Sequence, residues 1–284
     1  MMGSKETIEI DSWEKFEDLF FDPQYKYVLT SDISLEDKDI NIISNFYGVL
    51  DGNGYAIKGL NSEDTVPIIR ENNGIIKNLN IENFNIGYTE NLGGLCVRNQ
   101  KRIKNCHVSG NFQSQKNIGG IVVENFGFIE SCSFEGTVES LGNLRVGGIA
   151  ASNENLGTIE ECKTSGSTKG SFRVGGITGQ NSGKVKACNS NSNIIRNQKS
   201  NGPIGGIIGR NYGRLYDSYF HGGLTRDGGD EGLLVGKNNH TIENCHSKKI
   251  QNCSLIGENL GNSNKNSFKD TVKEIQKTIV ANKI

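Results

Sequence analysis

An asparagine that returns about every 27 residues constrains this chain more than any other feature. It stands at Asn72, Asn99, Asn125, Asn153, Asn181, Asn211, Asn238 and Asn259, with steps of 27, 26, 28, 28, 30, 27 and 21 residues. A period in this range marks a repeat architecture, in which each unit buries its apolar face only by stacking on its neighbours.

Other positions keep the same beat. Four residues after the asparagine come Ile76, Ile103, Ile129, Val185, Leu215 and Ile242, and seven after it come Leu79, Cys106, Cys132, Cys188, Ser218 and Cys245. Asn155-Leu156 is an insertion of two residues in the fourth copy, so Ile159 and Cys162 arrive two positions late. Before the asparagine most copies carry Gly-Gly-Ile or Gly-Gly-Leu, as at Gly93-Gly94-Leu95, Gly119-Gly120-Ile121, Gly147-Gly148-Ile149, Gly175-Gly176-Ile177 and Gly205-Gly206-Ile207. Each copy thus holds short β-rich runs between glycine or asparagine corners, too short for a helix plus a crossover. The reading is an all-β parallel β-helix or β-solenoid of about eight coils, roughly 27 residues per coil, rising ~4.8 Å per coil. A hydrophobic content of 34% with 37 glycines and 3 prolines suits a thin core shared between coils.

The ends differ from the body. Asp11-Ser12-Trp13-Glu14 reads as a capping signal with Asp11 as the cap, and Trp13, Phe16, Leu19 and Phe20 share a helical face that Pro23 terminates. Ser267-Phe268-Lys269-Asp270 repeats that logic, with Phe268, Val272, Ile275 and Ile279 on one face. The chain therefore divides into an N-terminal capping helix (1–24), lead-in strands (25–65), solenoid repeats (66–262) and a C-terminal capping helix (263–284). A short helix near each end would cover strand edges that otherwise invite aggregation. Asp51-Gly52-Asn53-Gly54 lacks the alternate ligands and closing Glu of a calcium loop and reads as a tight turn.

The columns read as architecture. The asparagines Asn72, Asn99, Asn125, Asn153, Asn181, Asn211 and Asn238 can satisfy backbone groups at a corner and bond their equivalents one coil away. The thiols Cys106, Cys132, Cys162, Cys188 and Cys245 form one column, for which zinc, disulfides or inert packing are the options. One thiol per coil makes a poor tetrahedron, and Leu79 and Ser218 in the same column favour buried free thiols as fillers. No cofactor and no catalytic constellation is read from the repeat. Alternation turns the next column outward: His107, Ser133, Lys163, Asn189, Tyr219 and His246. The irregular loop Thr225–Gly232 offers Asp227, Asp230 and Glu231 as weak metal candidates, although an exposed turn accounts for it as well.

Charge is unevenly spread: residues 1–65 hold 14 Asp/Glu against 5 Lys/Arg, leaving 26 basic and 18 acidic groups in the rest. The body is mildly basic without a dense Lys/Arg cluster, which speaks against nucleic acid as partner. Neither an export signal nor a membrane span is visible.

Gly175-Gly176-Ile177-Thr178-Gly179-Gln180-Asn181-Ser182-Gly183-Lys184-Val185-Lys186-Ala187-Cys188 and Gly205–Leu215 resemble the GLUG motif of bacterial adhesin-like β-solenoid proteins. With the lead-in around Phe46–Leu60 the resemblance spans about residues 25–260. It implies a non-enzymatic scaffold that presents a side-chain surface to a glycan or protein partner. The alternative is a polysaccharide lyase or hydrolase on an outward groove, requiring charged residues from neighbouring coils such as Asp217 and Arg214, or the 227–231 loop with calcium. Relatives of this kind are usually exported, so the expected location is the cytoplasm for a complete chain and the cell surface or exterior for a fragment.

Overall fold

The computed structural model describes residues 7–62, 67–142, 144–197, 202–225, 229–248, 250, 253–264 and 266–269. Among these residues the chain is an all-β parallel solenoid of about eight turns, with one short helix near the N-terminus. Among the described residues the strands stack into four parallel sheets of 11, 12, 6 and 9 strands. One coil shows how they are visited: Ile118–Gly119, then Val122–Asn125, Phe128–Glu130 and Ser133–Ser140. The next coil repeats this path in register, so that Gly119 pairs with Gly147, Asn125 with Asn153 and Ile129 with Ile159.

Alternation within each strand sends one set of side chains to the interior. Ile76, Ile103, Ile129, Ile159, Val185, Leu215 and Ile242 form a continuous buried file, joined from the 12-stranded sheet by Phe84, Phe112, Phe134 and Phe220. The Phe112 and Phe134 rings meet at 5.7 Å across one coil step, a spacing that favours tilted aromatic packing. The insertion in the fourth copy leaves this file intact because Leu156 is extruded, 84% exposed, while Gly157 closes the turn on Glu154.

The glycine pairs serve close approach. A Cβ on Gly119 would strike the Val122 carbonyl, and one on Gly120 would strike both the Gly148 carbonyl and the Phe134 ring. The glycine corners read from the sequence thus work by close approach: neither residue has a left-handed φ, and the absent side chain is what matters.

Strand pairing begins earlier than the repeat suggests. Strand β1 (Thr7–Ile10) pairs with β2 (Lys26–Leu29), which pairs with Val49–Asp51. Phe46 occupies the rung below Asn72, fully buried where the later coils carry asparagine. Helix α1 (Trp13–Phe21) lies between β1 and β2. Its cap is Ser12, whose hydroxyl accepts from the Lys15 amide, and not Asp11, whose carboxylate instead pairs with the Lys15 ammonium at 2.8 Å. Phe16 and Leu19 are buried against Ile43, Leu50, Ile57 and Ile69 of the first coils, closing the N-terminal opening.

At the other end, Ser267–Lys269 is a parallel strand on His246–Lys248. The helix start read at Ser267 is corrected accordingly: an open sheet edge offers these residues a full set of backbone partners, which outweighs a local cap signal. The rest of the anticipated helix, residues 270–284, lies outside the described residues. No helix among the described residues is long and apolar enough to cross a membrane.

Candidate functional site

The asparagine column is a buried chain of amides. Nδ2 of Asn72 donates to Oδ1 of Asn99 at 2.8 Å, and the same bond recurs from Asn99 to Asn125, Asn125 to Asn153, Asn153 to Asn181, Asn181 to Asn211 and Asn211 to Asn238 at 2.8 Å. Asn238 continues it to Asn259 at 2.7 Å. The second amide proton reaches main-chain carbonyls, as from Asn153 to Gly157 at 3.1 Å and to Lys184 at 3.2 Å.

Cys106, Cys132, Cys162, Cys188 and Cys245 stack as free, buried thiols. Each donates to the carbonyl two residues before it, for example Cys162 to Glu160 at 3.3 Å and Cys245 to Glu243 at 3.3 Å. Burial pushes the Cys106, Cys162 and Cys245 thiols well above the usual range, so these three offer no thiolate for metal binding or nucleophilic chemistry, whereas the hydrogen bonds of Cys106 and Cys162 to Cys132 shift that thiol downward.

Immediately before this column runs another that sequence reasoning missed. Asn78, Asn105, Ser131, Glu161, Ala187, Asp217 and Asn244 all adopt φ between 49° and 56°. They form the left-handed corner of each coil, and polar members bond along the column, Asn105 to Asn78 at 3.2 Å and Asn244 to Asp217 at 2.6 Å. The repeated Asn-Cys pairs were the available signal, because Asn tolerates this conformation better than most residues.

The outward columns diverge. His107 is half-buried and bonds Ser133 at 2.8 Å, and Asn189 bonds Tyr219 at 2.7 Å. His246, read as outward, is only 3% exposed. Ser247 beside it is buried as well, so the strand here departs from simple in–out alternation.

Asp227 falls outside the described residues, and Asp230 and Glu231 point to different partners. Glu231 pairs with the buried Arg196 at 3.4 Å, while burial and the nearby Glu258 carboxylate push Asp230 up. Among the described residues no group of three or more His, Cys, Asp or Glu could hold a metal ion. Asp217 accepts from Asn244 and makes no ion pair with Arg214 among the described residues.

Two exposed features are drawn together by the fold. The first is an edge, the residue just after each rung of the asparagine file, including the Phe46 rung, where Tyr47, Phe126, Tyr212 and Leu260 stand 55%, 37%, 38% and 63% exposed. Amides at this edge bond the preceding coil, Phe126 to Asn99 at 2.8 Å and Tyr212 to Asn181 at 2.7 Å, which holds the column straight. Arg98 lies 5.7 Å from the Phe126 ring and Arg210 4.7 Å from the Tyr212 ring.

The second feature is a corner. Arg145 and Arg173 stand on adjacent rungs, joined through the Val146 amide and the Arg173 carbonyl at 3.1 Å. Arg173 reaches across to Gln180, its Nη1 2.6 Å from Oε1, and Gln180 pairs in register with Arg210. Burial, then Arg145 and Arg210, lower the pKa of Arg173, which reports mutual repulsion of groups that nevertheless stay charged. Phe172 and Tyr212 flank the corner, each under a guanidinium. The Nε atoms of Arg145, Arg173 and Arg210 are buried without partners, as is the hydroxyl of Ser152.

No protein-family model and no curated protein matches the chain. Solved structures do. A Bacteroides ovatus protein provisionally described as an immunoglobulin A1 protease matches with a TM-score of 0.59 at 15% identity, over 96% of this chain and 86% of its own. A structure described as "IgA1 Protease" matches with a TM-score of 0.68 at 17% identity, over 84% of this chain and 21% of its own, so this chain spans about a fifth of that protein. At these identities the likeness is one of fold, and the chain is similar to β-solenoid proteins of this kind.

Proposed function

We propose that the chain is a non-enzymatic, adhesin-like β-solenoid scaffold, built from GLUG-type units, whose outward columns bind a glycan or protein partner. The observation that carries this reading is the exposed aromatic edge. Phe126 and Tyr212 are three rungs apart, roughly 14 Å at ~4.8 Å per coil, with arginines beside both rings. Rings held on a rigid sheet cost little ordering entropy and present an apolar face with a polar rim, the composition favoured at recognition surfaces. Phe128, 49% exposed with Arg102 at 5.5 Å, widens the edge onto the adjacent sheet.

The protease named in the structural neighbours does not transfer through fold alone. Display at a cell surface, as part of a larger protein, agrees with the resemblance to exported repeat proteins. The test is a glycan array and a protein-partner screen with purified protein, followed by Phe126→Ala and Tyr212→Ala. Loss of binding by about tenfold in either variant, with unchanged thermal unfolding, is the expected result; a protein that binds nothing in either screen overturns the reading.

A further inference from the structure

We infer that Arg145, Arg173 and Arg210, with Ser152 beside them and the Phe172 and Tyr212 rings on their flanks, form a subsite for one sulfate or carboxylate group of an acidic glycan. This rests on the proposed glycan-binding role and names its chemistry.

The geometry argues for an anion. Three guanidiniums converge on one corner, and none makes an ion pair with a carboxylate among the described residues. Asp230 and Glu258 lie near enough for Arg210 to act on them, but Glu258 pairs with Lys237 and hydrogen-bonds Asp230, and neither carboxylate forms an ion pair with Arg210 among the described residues. Each of the three keeps a buried Nε without a partner. Such atoms are costly to leave unpaired, and an anionic oxygen is the acceptor that satisfies several at once. Ser152 sharpens the point. Register places it between Glu124 and Gln180 in the outward-facing column, yet it is 1% exposed and its hydroxyl has no partner. A donor in that position, beside planar donor forks, completes a polar cradle.

The extent of the patch argues for an isolated charge and against a polyanion. Along the Ser152 column the next residues are Glu124 on one side and, past Arg210 and Lys237, Glu258 on the other. Positive potential is thus confined to a few coils, whereas a nucleic acid spaces phosphates along its whole length and needs a longer basic stripe. The aromatic flanks favour a sugar, since Phe172 and Tyr212 offer ring faces beside the charge.

The test is calorimetric titration of the full chain with three probes: a heparin hexasaccharide, its desulfated form, which keeps the carboxylates, and a neutral oligosaccharide of equal length. Inorganic sulfate and a single-stranded oligonucleotide serve as further probes, and thermal unfolding is followed in parallel. The sulfated or the carboxylate form should bind at least tenfold more tightly than the neutral one, with affinity falling as salt rises. Arg173→Gln should reduce that binding at least tenfold. In the absence of anions the same variant should unfold at an equal or higher temperature than the parent, because a repelled charge is removed, and inorganic sulfate should no longer stabilise it. Arg145→Gln gives a second route if Arg173→Gln fails to fold. Binding of the neutral glycan that is lost in Phe126→Ala but unaffected by Arg173→Gln overturns the subsite while leaving the glycan-binding reading in place. Stabilisation by sulfate with no oligosaccharide bound overturns the glycan reading and with it the assignment of the ligand. Equal affinity for the oligonucleotide overturns the choice of a glycan.

Discussion

Replacing Asn153 by leucine tests whether the amide ladder holds the coils together. The substitution keeps the volume similar and removes only polar atoms. Asn153 accepts from Asn125 and donates to Asn181, Gly157 and Lys184. Asn125 retains the Gly127 and Thr158 carbonyls, and the Gly157 carbonyl retains the Lys184 amide at 2.9 Å. Oδ1 of Asn181, fully buried, is left without its donor. An orphaned buried acceptor costs about 1–3 kcal/mol, and each further bond lost about 0.5–1.5 kcal/mol. The added apolar burial offsets about 1 kcal/mol of this, so Asn153→Leu should destabilise by about 2–4 kcal/mol. Asn259, the last rung of the ladder among the described residues, is exposed and there only receives from Asn238, which keeps the His240 carbonyl at 3.1 Å. Asn259→Leu should therefore cost less than ~1 kcal/mol. Urea unfolding measures the two totals. Because stability in a solenoid is a sum over neighbouring coils, hydrogen exchange should show protection lost first around residues 125–185 in Asn153→Leu. The reasoning fails if Asn153→Leu lies within 0.5 kcal/mol of the parent, or if the two positions cost the same.

Three further outcomes follow from the same geometry. Ala187 has φ 52° at a position where four of its column-mates are Asn or Asp; Ala187→Gly should stabilise the fold by up to about 1 kcal/mol in urea titrations, since a left-handed φ is strained for alanine and free for glycine. Gly120→Ala drives a methyl into the Gly148 carbonyl and the Phe134 ring, both backbone and packed core, and should lower stability by more than 2 kcal/mol by the same assay; an unchanged midpoint would contradict the close-approach account. The thiols Cys96 and Cys245 have pKa values raised by burial. Their folded pKa exceeds the unfolded one, so this contribution to stability is complete below the ordinary thiol range, near pH 8.5, and declines as pH rises through and beyond it. Thiol-reagent titration of native protein at pH 8 should label the half-buried Cys253 rapidly and the six buried thiols only on unfolding.

What could be read without coordinates was whatever repeats. The asparagine, cysteine and isoleucine columns each recur at one offset because every coil solves the same packing problem with the same side chain, and parallel stacking turns sequence period directly into spatial adjacency. Phe46 escaped this reading because it fills the asparagine rung with a different residue. The left-handed corner escaped it because Asn78, Ser131, Glu161 and Ala187 share a backbone conformation and no side-chain chemistry. His246 and Ser267 were misplaced where the array ends, since there the neighbours that define inside and outside change.

The arginine corner belongs to the tertiary structure alone. Arg145 and Arg173 precede one set of strands and Arg210 sits within another, so no single period links them. Strand alternation states only whether a side chain points inward or outward. Whether two outward columns meet depends on the bend between adjacent sheets, where Gly119 lets the chain fold close against the Val122 carbonyl of the same coil. The sequence by itself determined a parallel solenoid and its internal files, through local pattern and period; the folded chain decided which outward charges and rings share a surface, through the bends between sheets.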